Sequence, residues 1–63
     1  MNEAARDAAS LSTEILRRAK ADGSFDVVAT AMLMTVVAVV RWERGNDVLR
    51  EMLELAEDHD TVN

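Results

Sequence analysis

The chain has 63 residues, 49% of them hydrophobic, with Phe25 and Trp42 the only aromatics, no Cys, no Pro and a net charge of −5. This excludes a disulfide framework and a Cys-based zinc site, and leaves room for one small domain. A domain of this size buries only about 60% of its unfolded surface, so a second chain is the expected source of the missing stability.

Charge is unevenly placed. Residues 47–63 carry six acids against Arg50 alone, while residues 1–20 carry four bases (Arg6, Arg17, Arg18, Lys20) against three acids. Nucleic-acid binding needs clustered Lys and Arg, so direct contact with DNA or RNA is not expected. The N-terminus lacks the basic-then-apolar layout of a secretory signal, and a cytoplasmic location is expected. Arg outnumbers Lys six to one and Ala is abundant, a composition that suggests a bacterial source.

The first element is a helix. Asn2 is a suitable N-cap, because its side-chain oxygen can accept from a free N–H of the first turn. Ala4, Ala8, Leu11 and Ile15 follow 4-3-4 spacing, and Leu16 and Ala19 widen the stripe. Acids come early (Glu3, Asp7) and bases late (Arg17, Arg18, Lys20), matching the helix dipole. Glu14 and Arg18 form an i,i+4 pair in the better order. Gly23 can end the helix in the left-handed conformation.

The second element is the unusual one. Ser24 can cap it and Asp26 lies in its first turn. Residues 27–40 then carry no charge, with Thr30 and Thr35 the only polar side chains. Val and Thr favour strands, but no Gly, Pro, Asn or Asp breaks the run into a hairpin, so helix is the reading adopted. A membrane span needs about 20 apolar residues, and Asp26 and Arg41 bracket this run more tightly than that. Apolar side chains point all round such a helix, which must therefore be covered on nearly every side. The least apolar strip joins Asp26, Thr30, Arg41 and Arg44, with Met34 and Val37 inside it.

The third element follows Gly45, with Asn46 or Asp47 as cap. Val48, Leu49, Met52, Leu53, Leu55 and Ala56 fall within an arc of roughly 160° at the helical period. Arg50, Glu51, Glu54, Glu57 and Asp58 fill the other side. The expected fold is all-α: a small three-helix domain over residues 1–63, with a hydrophobic central helix. Its helices span about 3–21, 25–44 and 47–58, and the tail 59–63 is frayed.

Two features can carry function. Asp47, Glu51, Glu54 and Asp58 share one helix face, and Glu57, Asp58 and Asp60 crowd a C-terminal end where the dipole disfavours negative charge. A solvated face that keeps a small protein soluble explains this arrangement; a docking surface for a basic partner does so too. The second feature is surplus apolar surface. Two flanking helices cover about two-thirds of the central one, since each neighbour covers one stripe. Met34, Val37, Arg41 and Trp42 are the residues expected at the uncovered part. Met32, Met34 and Met52 can line an adaptable surface, although Met at helical spacing also makes ordinary core.

No catalytic, cofactor-binding or metal site emerges. Ser10, Ser12 and Ser24 have no base at a recognisable spacing, Gly23 and Gly45 stand alone, and His59 reads as a solvated side chain near a terminus. The chain is therefore expected to be a non-enzymatic regulator that binds and inhibits a protein partner. An antiactivator-type inhibitor of a basic DNA-binding transcriptional regulator fits best, using apolar helix surface and the acidic face. In size and charge alone it is similar to small acidic helical regulators. The alternatives are a self-associating homodimer with a structural role and a small membrane-associated protein.

Overall fold

Three helices, α1 (Glu3–Asp22), α2 (Phe25–Arg44) and α3 (Asn46–Val62), make up the computed structural model. It describes the backbone of residues 2–62 and the side chains of residues 2–58. No strand occurs among the described residues, so the chain is a small all-α protein of three helices. It divides into two compact units, Met1–Met32 and Leu33–Asn63, whose boundary falls within α2.

In the first unit, Asn2 has extended backbone (φ −75°, ψ 171°), and its Oδ1 accepts the Ala5 N–H at 2.8 Å, as an N-cap should. Gly23 closes α1 with φ 77°. Its N–H donates to the Lys20 carbonyl at 3.2 Å, and the Ser24 N–H donates to the Ala19 carbonyl at 2.8 Å. This pair of bonds is a Schellman motif, and it needs the left-handed backbone that glycine adopts without a Cβ penalty.

Ser24 does not cap α2 with its side chain. Its hydroxyl points back to the Ala19 carbonyl at 3.5 Å, while its own carbonyl accepts the Val28 N–H at 3.0 Å and so begins α2. The two-residue connection explains this: Ser24 completes the end of α1 and starts α2 at the same position. Glu14 pairs with Arg18 at 3.3 Å as the spacing predicts, and also with Arg17. These pairs are solvent-exposed and contribute about 0–1 kcal/mol.

The apolar stripe of α1 lies away from its expected centre. Ala19 is buried at 4% exposure, and Leu16 and Ser12 are half-buried beside it. Ala4, Ala8, Leu11 and Ile15 remain exposed. Within this unit, Val28, Ala29 and Met32 of α2 are half-buried. Small side chains at Ala19 and Ser12 allow close helix approach, but they remove little apolar area from water.

The second unit holds the end of α2 and all of α3. Gly45 (φ 90°) donates its N–H to the Arg41 carbonyl at 3.0 Å and accepts the Leu49 N–H at 3.2 Å. One glycine thus ends α2 and begins α3, so neither Asn46 nor Asp47 acts as the cap. Asn46 Oδ1 is engaged elsewhere, accepting from Arg41 Nε at 2.9 Å. Leu49, at 7% exposure, is the buried side chain here, with Val37, Val40 and Val48 half-buried.

α3 runs on to Val62, past the end expected near Asp58. No Gly or Pro interrupts this stretch, and helical backbone continues through it. His59 lies outside the described side chains. Glu54 and Glu57 therefore sit within the helix rather than at its end. The dipole acts mainly in the last turn, so their placement opposes it less than a shorter helix would imply.

The central helix departs furthest from expectation. It should be covered on nearly every side, yet no residue of α2 is buried. Two neighbours, each touching part of its length, leave most of an all-round apolar cylinder open.

Candidate functional site

The eight residues singled out by the sequence all lie in the second unit, Leu33–Asn63. On α2, Met34 is 67% exposed and Trp42 is 87% exposed. Arg41 is exposed and Val37 is half-buried. Met34, Val37 and Arg41 follow 3-4 spacing and share one side, whereas Trp42 points about 100° further round the helix.

On α3, Asp47, Glu51, Glu54 and Asp58 are all exposed. Their 4-3-4 spacing lines them along one face. The ion pairs recorded among the described residues join Glu14 to Arg17 and Arg18, and none involves these four acids. Arg50 is the one base among them, so the face stays net negative and can steer a cationic partner over roughly a Debye length, about 8 Å at physiological salt.

Sequence reasoning missed Leu55, which it assigned to the core of α3. Leu55 is 68% exposed and lies between the acidic stripe and the covered side of α3 at the helical period. The apolar arc of roughly 160° is wider than the stripe one neighbouring helix covers, and that width was the available signal. Val27, Leu33, Val36 and Val39 were missed in the same way and are exposed on α2.

The link between the two halves of this site is the Arg41–Asn46 bond. Beside it lies a shallow, open depression of about 230 Å³ lined by Arg41, Asn46, Leu49, Arg50 and Leu53. Two guanidinium groups over a leucine floor hold no nucleophile, base or acid. Among the described residues, no three His, Cys, Asp or Glu side chains gather to hold a metal ion. The arrangement offers contact chemistry: an exposed Trp, exposed aliphatics and a row of carboxylates. No protein family, curated protein or solved structure matches the chain.

Proposed function

We propose that this chain is a non-enzymatic regulatory protein that acts by binding another protein through the second unit. The observation that carries the reading is the exposed row Asp47, Glu51, Glu54 and Asp58 flanked by exposed Leu55 on one helix. Apolar contact at Leu55 and Trp42 supplies affinity, and the acids supply steering and register. The partner of matching chemistry is a basic, apolar-centred surface such as that of a DNA-binding regulator. Covering that surface blocks its access to phosphates, so the action is inhibitory, as in an antiactivator.

The test compares capture from cells that make the protein by wild type and by the Glu51→Lys/Glu54→Lys variant. A DNA-binding protein should be retained by wild type, lost with the variant, and released from its DNA when purified wild-type protein is added. Equal retention by both proteins, or no effect on DNA binding, defeats the reading.

One observation favours a second reading. α2 is 20 residues long, and an 18-residue stretch of it has mean hydropathy 1.7 with no residue buried. A helix of that length reaches about 30 Å, the thickness of the hydrocarbon core of a bilayer. Against it, the charge-free stretch is only residues 27–40. α1 also brings Glu14, Arg17 and Arg18 into the same unit as the start of α2. Flotation with lipid vesicles separates the readings: a chain that stays in the soluble fraction is not a membrane protein.

A further inference from the structure

The shallow depression beside the Arg41–Asn46 bond is built within the second unit alone. Asn46, Leu49, Arg50 and Leu53 recur at 3-1-3 spacing, so they share one face of α3, and Arg41 lines it from the last turn of α2. Leu49 is buried and forms the floor, while Leu53, 46% exposed, stands open at its side. The hollow measures about 230 Å³.

Its two arginines are positioned without being neutralised. Arg41 donates from Nε to Asn46 Oδ1 at 2.9 Å, and an amide oxygen orients a guanidinium while leaving its charge uncompensated. That bond uses one of five N–H donors, so the two Nη groups keep the end-on edge that matches a carboxylate. Arg50 is exposed, and the ion pairs recorded among the described residues are those of Glu14. No Asp or Glu lines the depression. At the helical period Asp47, Glu51, Glu54 and Asp58 are centred about 120° round α3 from it.

These features select the occupant. Two guanidinium groups call for an anion, and the leucine floor calls for an apolar group close beside it. A polyanion such as nucleic acid also meets the neighbouring acidic row, and the whole chain carries a net charge of −5. A free aliphatic acid is poorly enclosed here, since small-molecule sites bury most of a ligand's surface. The last residue of a polypeptide supplies one carboxylate and one aliphatic side chain from a single α-carbon, and the open depression leaves the preceding residues an exit.

We propose that this depression binds the C-terminal residue of a partner polypeptide, its carboxylate on Arg41 and Arg50 and its aliphatic side chain on Leu49 and Leu53. Guanidinium–carboxylate bonds are charge-assisted and geometrically specific, and capture of a terminal carboxylate is a recurring mode of peptide recognition. The site is separate from the acidic row that carries the partner reading above, so either can fail without the other.

NMR titration of the isotope-labelled full chain tests the proposal, with circular dichroism confirming that each variant remains helical. The probes are the tripeptide acetyl-Ser-Ala-Leu with a free carboxylate, the same tripeptide amidated, and acetate. The free acid should shift the Nε–H signals of Arg41 and Arg50 and the amides of Leu49 and Leu53, and should saturate at millimolar concentration. The amidated tripeptide should bind about tenfold more weakly or worse, because it engages neither arginine as an anion. Arg41→Gln and Arg50→Gln should each weaken the free acid about fivefold, the worth of one exposed charge pair. Leu53→Asn should weaken it too. Acetate should bind far more weakly than the tripeptide; equal binding means that the arginines hold an adventitious ion only, and the proposal fails. It fails equally if the shifts never saturate, if acid and amide bind alike, or if the arginine variants bind as wild type does.

Discussion

Arg41 Nε donates a 2.9 Å hydrogen bond to Asn46 Oδ1, tying the last turn of α2 to the first residue of α3 across Gly45. The bond keeps Asn46 from capping α3 and holds the Arg41 guanidinium near the helix connection. Both side chains are exposed, so water competes for each and the net contribution is small. Asn46→Ala should therefore lower stability by about 0.5 kcal/mol in a thermal melt. A loss above about 2 kcal/mol would show that Asn46 does more than bind Arg41.

The two glycines should respond differently from ordinary surface positions. Gly23 and Gly45 have φ of 77° and 90°, and a Cβ built at either meets nothing within 4 Å. The penalty for Gly23→Ala or Gly45→Ala is then conformational rather than steric, about 1–2 kcal/mol each. Melting curves followed by circular dichroism check this. Replacement by Asn, which tolerates the left-handed region better, should recover part of the loss.

The N-cap gives a local prediction. Asn2→Ala removes the acceptor of the Ala5 N–H. It should cost about 1 kcal/mol of helix stability, concentrated in the first turn of α1. Amide exchange read by NMR should quicken at Ala5, whereas Asn2→Asp should preserve protection.

Leu49 and Leu55 lie on the same helix with opposite exposure. Leu49→Ala removes the one large apolar side chain that is buried among the described residues, and should cost about 2 kcal/mol or more. Leu55→Ala removes an exposed side chain and should change chain stability by less than about 0.5 kcal/mol. If Leu55 contacts a partner, its loss appears in binding rather than in melting. Equal effects of the two substitutions on melting would contradict the burial pattern.

Local signals settled the helices. The Asn2 cap, the left-handed Gly23 and Gly45, the unbroken run of residues 27–40 and the Glu14–Arg18 spacing all act within a few residues, so the order of the amino acids alone makes their consequences legible. The acidic face of α3 is legible for the same reason, because the helical period alone lines up Asp47, Glu51, Glu54 and Asp58. What residues 47–63 could not show was the true end of α3, since the absence of a stop signal does not mark where a helix ends.

Coverage was decided only in three dimensions. Period identifies which side of a helix is apolar, but not how much of its length a neighbour reaches. Leu49 and Leu55 belong to one apolar arc in sequence, yet one is buried and the other is bare. Of the α1 stripe, Leu16 and Ala19 pack as its edge predicts and Ser12 joins them, while Ala4, Ala8, Leu11 and Ile15, its expected centre, stay exposed. The suspicion raised by 63 residues without a disulfide rested on total surface. The fold shows which apolar side chains of α2 stay bare, Val27 and Met34 among them, because burial depends on the number and reach of neighbouring elements.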